Sequence, residues 1–518
     1  MQRRALLRSV AGGCGVGVGL GLGLGLSSGS AIASAAQESY EPLGSVPVDG
    51  ACEVVVGDDQ ETAYLATVDG FATVDVSDPA DPQVLADRRG LLEDVQNEDR
   101  SFTEILDVEV SGDRLIVPGP ANPGEPDIFH GFLQYDVSDP ANPTLIGEPV
   151  ETGYHLHNCF LDGDRLYLPR NEVGQNRRPN AVEIYDLSGD DPQRLGEWSL
   201  LDHEPRWDDV TNHFLWYLHD VTVHDEIAVL PFWNAGTYLV DVSDPSEPTY
   251  VSHVSETSLE EQLEISDAEM MDYYTGLPGN DHYGALDDTG SILAVGREAW
   301  VTDAPEANRH GGIDLYDVSD LENPVHAATI DAPETPNGAY EAGQWTTSHN
   351  FELHDGHLYS SWYRGGVKLH DLSTLEEPEE IAAWRDPSVA AFWTARVLEP
   401  SATFVASSTP ILPNAETEGA LYVFASEAGE QADPPSFEGD TGDPSEDADG
   451  NETDAGNDGN ETDTGNDENE SDPGDNETAD ADAGAEESES DSTPGFTAAG
   501  AAGVVGGTLA LEAWRRRR

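Results

Sequence analysis

The sequence predicts an all-β protein, a seven-bladed β-propeller of four-stranded antiparallel blades closed by its own N-terminal strand. Three observations carry the prediction. A motif of the form "YDVSDPANP" recurs six times, with its opening Asp at Asp75, Asp136, Asp186, Asp241, Asp317 and Asp371. The copies lie 50 to 76 residues apart, the period of a blade plus an inserted loop. Between them, alternating apolar runs are cut by tight turns, the pattern of half-buried strands.

In chain order, residues 1–36 read as an export signal. Arg3 and Arg4 precede a Gly/Leu/Val-rich stretch ending at Leu26, and small residues at Ala31, Ala33 and Ala35 suit a signal peptidase. The twin arginine points to Tat export machinery, with Sec as the alternative.

Residues 40–428 hold the propeller. The late segment "SHNFELHDGHLYSSWYRGGVKLHDLSTLEEPEEIAAW" reads as one whole blade, four strands joined by Asp-Gly, Arg-Gly-Gly and Pro-containing turns. In "DVSDP" the Asp and Ser side chains are expected to cap the last turn through backbone N–H groups, while Pro fixes φ. A seventh blade spans Trp393 to Glu427 and lacks the Asp turn. Its outer strand is expected from "EPLGSVPV" at Glu41, because that segment resembles "PTLIGEPV" at Pro143. Joining both chain ends in one blade leaves no open edge.

Residues 429–493 form an acidic, low-complexity stalk that cannot bury apolar area. It carries sequons at Asn451, Asn460, Asn469 and Asn476, candidate glycosylation sites. Residues 494–518 open on Pro494, Gly495 and Phe496, continue in a small-residue apolar run and end in Arg515 to Arg518. That order of parts resembles the PGF-CTERM sorting signal. The resemblance implies cleavage by an archaeosortase-like enzyme and a lipid anchor; a plain membrane helix is the alternative. Either ending places the domain on the outer face of the cell membrane.

The charge agrees with that setting. The chain has 102 Asp and Glu against 23 Lys and Arg, a formal charge of −79, and Lys368 is its one lysine. Such self-repulsion suits molar salt, where the Debye length is about 3 Å, so a haloarchaeal source is expected. Nucleic acid is excluded as a partner, because phosphate binding needs clustered Lys and Arg.

The repeats resemble the LVIVD repeat, and the whole propeller region resembles the choice-of-anchor B family of surface propellers. The resemblance implies fold and location; it brings no settled activity.

Chemistry concentrates at one repeat position. Aligned on the turn after the inner strand, four consecutive blades place His157, His219, His282 and His349 at the start of that strand, and Cys52, Leu106 and Thr394 take the place in the others. Imidazoles converging on one axis suit copper, iron or zinc, with Cys52 or an Asp as a further ligand. A repeated structural histidine is the competing reading. The next residues, including Asp107 and Asp220, are mostly polar, as a wet channel would require. The architecture is also similar to the selenium-binding protein and methanethiol oxidase group, which implies copper.

Strand direction puts all long insertions, 88–104, 118–131, 170–180, 199–215, 255–280, 297–311 and 331–346, on the propeller face where those histidines begin. Asp107, Asp220, Trp233, Trp362 and Arg364 are candidate binding residues there; Trp207, Trp300, Trp345 and Tyr363 are further aromatics in or near the loops, and stacking on a glycan or peptide competes with plain loop packing as the reading of all six aromatic side chains. Cys52 and Cys159 belong to non-adjacent blades and are expected to be free thiols.

Two functions stay open. The first is a binding module engaging a surface ligand, glycan or envelope protein through the loop-rich face. The second is a metal-dependent extracellular oxidoreductase using the histidines. No complete catalytic constellation is visible, which puts the first ahead.

Overall fold

In the computed structural model, residues 39–437 are described except 94, 96, 97, 99, 124–127, 172–179, 190, 267, 303–308, 342 and 414. The export signal, the stalk beyond residue 437, its four sequons and the Pro494-Gly495-Phe496 segment lie outside the described residues.

Seven antiparallel sheets form the blades. Blade 1 comprises Val54–Val56, Thr62–Ala66, Gly70–Asp75 and Gln83–Arg89, from the inner strand outward. Blade 4 repeats the plan with Thr222–His224, Ile227–Pro231, Thr237–Asp241 and Thr249–Val254, and blade 6 with Phe351–His354, His357–Ser361, Val367–Asp371 and Glu379–Trp384. Second and third strands are almost wholly buried while outer strands such as Gln83–Arg89 are mostly exposed, so each sheet buries its middle.

The motif acts as turn chemistry. Asp75, Asp136, Asp186, Asp241, Asp317 and Asp371 each accept the main-chain N–H of the Ser two residues on, at 2.7–3.0 Å. The second Asp of the motif repeats this where present: Asp78, Asp139, Asp244 and Asp320 accept the N–H two residues on. A bulge immediately upstream recurs as well, between Thr73 and Val74, Leu239 and Val240, and Leu369 and His370. It adds local twist just before the chain turns to the outer strand.

The N-terminal strand closes the ring. Gly44–Pro47 pairs antiparallel with Ala420–Ala425, the third strand of blade 7, whose other members are Thr403–Ser408 and Phe392–Glu399. Two details were not expected. Gly429–Glu430 adds in parallel to the outer strand of blade 6, and the outer strand of blade 2 is split into Thr144–Leu145 and Val150–Glu151.

Short helices, Leu200–His203, Leu259–Glu264 and Met270–Thr275, lie in the interblade insertions. Among the described residues no helix is long and apolar enough to cross a membrane.

Candidate metal centre

The inner strands bring the repeated position to the axis. The residue there donates its main-chain N–H to the end of the second strand: Cys52 to Ala66 at 2.9 Å, His219 to Pro231 at 2.9 Å, His349 to Ser361 at 3.0 Å. One backbone geometry is thus copied from blade to blade. The four imidazoles pack edge-on or tilted against one another in chain order, with ring centroids 4.5 Å apart for His157 and His219, 3.9 Å for His219 and His282, and 4.5 Å for His282 and His349. All four are buried.

Burial keeps them neutral. It pushes His157 down to about 4 and His349 to about 3, in each case partly opposed by a bond to a carbonyl. His219 and His282 lie well below the ordinary range, through burial first and neighbouring imidazoles second. Neutral imidazole is the form that ligates a metal.

The nitrogens divide into anchored and bare. His349 Nδ1 donates to the Trp393 carbonyl at 2.6 Å and His157 Nδ1 to that of Ala121 at 3.2 Å, which fixes their tautomers and leaves each Nε2 as a lone pair. His282 Nδ1 has no hydrogen-bond partner, and neither nitrogen of His219 makes a well-aligned one, although that ring lies near the His282 main chain. Buried polar atoms without partners are rare, so three on two adjacent rings are informative.

Glu298, which sequence reasoning missed, completes the cluster. It follows the second strand of blade 5, Ile292–Arg297, and is buried. Its Oε1 accepts the Tyr363 hydroxyl, and its Oε2 lies 3.6 Å from His282 Nε2. Burial raises its carboxyl to about 7, with the Tyr363 bond opposing. Ligand atoms of His282, Glu298 and His349 all fall within 4.8 Å of one another. Two ligands each about 2.1 Å from a tetrahedral ion sit about 3.4 Å apart, so 3.6 Å is too long for a hydrogen bond yet suits a shared ion.

Cys52 does not join this set. Its thiol is turned to the Gly50 carbonyl at 3.5 Å and the Thr409 hydroxyl at 3.7 Å, and burial pushes it up to about 12. Cys52 and Cys159 are free thiols.

The aromatics near the long loops are buried, as the loop-packing reading of them expects. Trp207, Trp233, Trp300, Trp345, Trp362 and Tyr363 are at most 3% exposed, so none is presented to a glycan or peptide. Aromatics of the inner strand of blade 7 and of the turns after second strands pack on the histidines instead: Trp393 lies 4.3 Å and Tyr363 4.8 Å from His349, and Trp233 5.1 Å from His219. Burying these rings stabilises more than exposing them. Trp362 donates its indole N–H to Ser360, and Arg364 is buried with its Nε bonded to the Pro387 carbonyl.

Asp107 and Asp220 lie on the other side of the histidines. They line a cavity of about 550 Å³ lying along the first-to-second-strand turns, past Gly57, Asp58, Asp288 and His354. Glu53, Glu109 and Glu352 share its wall with Arg396. Asp107 is pushed up to about 8 by burial and by the Glu53 charge, and Asp220 well above its usual range by burial and by Asp107. Arg396 bonds Glu53 at 2.8 Å and the Phe351 carbonyl at 2.6 Å, so one acid and the one guanidinium offset each other.

The LVIVD repeat family matches residues 51–86 and 218–256. No curated protein matches the chain. Among solved structures, the β-propeller domain of Cps50 (Swd1) from Myceliophteria thermophila superposes with a TM-score of 0.49 at 10% identity, covering 74% of this chain and 99% of that one. A Lactobacillus plantarum protein gives 0.44 at 11% identity, over 67% and 89% of the two chains. YCF48 bound to D1 peptide gives 0.43 at 10% identity, over 75% and 96%. Likenesses this distant carry no function to this chain.

Proposed function

We propose that this LVIVD-repeat propeller is an exported, surface-anchored binding module, and that what it binds is a transition-metal ion on its axis. His282, His349 and Glu298 are the ligands, with His219 beside them. The observation that carries the reading is the buried cluster of His282, Glu298 and His349, whose ligand atoms all fall within 4.8 Å of one another. Nitrogen donors with one carboxylate suit zinc, copper(II) or iron(II) rather than calcium or magnesium.

Binding is favoured over turnover by size. The cavity bounded by the four histidines, Asp107, Asp220 and Trp393 is about 10 Å³, room for roughly one water and for no organic substrate. Export and anchoring are supported by the twin-arginine segment, the acidic stalk and the Pro494-Gly495-Phe496 ending.

The test is metal content by mass spectrometry on the mature protein and on His282→Ala/His349→Ala. About one zinc, copper or iron per chain is expected in the first and less than about a tenth of that in the second, since losing groups at a metal typically weakens it 10- to 100-fold or more. No metal in either removes the reading. Tyr363→Phe, which deletes the bond that orients Glu298, is expected to weaken the ion about tenfold in a competition titration while the melting curve stays cooperative.

A further inference from the structure

We infer that the carboxyl-lined cavity on the tight-turn face is the route by which cations reach the histidines, with Glu109 and Glu352 on its walls and Asn158 and Asn350 as oxygen donors at its floor. The inference rests on the metal reading above. It begins with closure. Trp233, Trp393 and Tyr363 pack against the rings from the loop-rich side, so an ion arriving there meets apolar surface.

The other side is continuous with solvent. The 550 Å³ cavity and the water-sized space at the histidines share five lining residues, Glu53, Asp107, Asn158, Asp220 and Asn350. These five are the partition between the two spaces. Three of them follow a ring histidine directly in sequence, as Asn158, Asp220 and Asn350 follow His157, His219 and His349.

The partition holds two unexplained oxygens. Asn158 and Asn350 are 6% and 7% exposed, and the Oδ1 of each has no hydrogen-bond partner. Asn350 spends its amide N–H on Glu53, at 2.8 Å, which turns the bare oxygen away from that carboxylate. An unpartnered buried carbonyl is costly unless something visits it, and a partly hydrated cation is the visitor an oxygen favours. No three carboxylates of the cavity, among the described residues, bring ligand oxygens within 4.8 Å of one another. The place is therefore suited to passage and not to a permanent cage.

The walls add oxygen. Arg396 is engaged by Glu53, and burial holds the Asp107, Glu109, Asp220 and Glu352 carboxyls above their ordinary range, so they offer a passing cation oxygens that release a proton as it arrives rather than a standing negative field.

The test follows cobalt(II) uptake by the chelator-stripped full chain, read by the visible absorbance that appears on nitrogen ligation. Glu109→Gln/Glu352→Gln is expected to load measurably more slowly than wild type and to reach the same plateau, because an amide has no proton to release as the ion arrives. Asp107→Asn, which keeps an acceptor for the Cys159 N–H, is the second variant and is expected to load more slowly too. Equal rates in wild type and both variants overturn the route while leaving the histidine site standing. A wild type that takes up no cobalt overturns the site, and the route with it.

Discussion

Removing Ser39–Val48 is expected to cost the propeller most of its stability and to yield aggregates in place of a monomer. Gly44–Pro47 contributes a strand to blade 7, and Leu43 and Val48 extend the ladder by donating to Val423 at 2.8 Å and Gly419 at 2.9 Å. At about 1 kcal/mol per hydrogen bond, with Tyr40 and Val48 adding roughly 1.5–3 kcal/mol each by burial, the loss approaches the 5–15 kcal/mol of a typical domain. The bared edge of Ala420–Ala425 then invites pairing with other chains. Size-exclusion chromatography with a thermal melt decides it: a monomer melting within about 5 °C of the intact protein contradicts the closure account.

The second large effect belongs to Arg297→Met, expected to cost about 3–5 kcal/mol. Arg297 is buried at the end of the second strand of blade 5, bonded to Asp281 at 3.1 Å and to Asp314. Thr237 and Thr329 bind the same two carboxylates at 2.7 and 2.5 Å. Removing the cation leaves two buried carboxylates facing each other, which is worse than having no charges there. Denaturant unfolding of Arg297→Met beside Arg297→Met/Asp281→Leu/Asp314→Leu separates the effects. The triple variant is expected to recover much of the loss, and a single variant within 1 kcal/mol of wild type contradicts the argument. Arg297 precedes Glu298 in the chain and pairs with Asp281, which precedes His282, so the same ion set holds the two proposed ligands in register.

What could be read in the sequence was whatever repeats. The motif Asp residues, the blade spacing and the closing strand are legible because each blade must turn and pair in the same way, and copying leaves a trace. The histidine position is legible for the same reason. Glu298 has no counterpart in the other blades, and nothing in "GREAW" marks its carboxylate as facing His282 rather than solvent.

The loop-rich face left two readings open for a different reason. Insertions rich in Trp and Tyr suit either an exposed stacking surface or a private core, and local sequence does not say which side of the loop faces in. Here Trp300, Tyr340, Trp345 and Tyr363 pack on one another, so the loops are ordered by filling the channel mouth. Asp107 and Asp220 were grouped with that face, but the inner strand carries them past the histidines to the opposite cavity.

The central claim is that the axis holds a nitrogen-ligated ion, and X-ray absorption at the zinc edge of zinc-loaded protein tests it most directly. The account predicts imidazole nitrogens and one carboxylate oxygen at about 2.0–2.2 Å, a shell lost in His282→Ala/His349→Ala. A shell of oxygens alone, unchanged by that double substitution, would place the ion in the acidic cavity or on the surface and contradict the account.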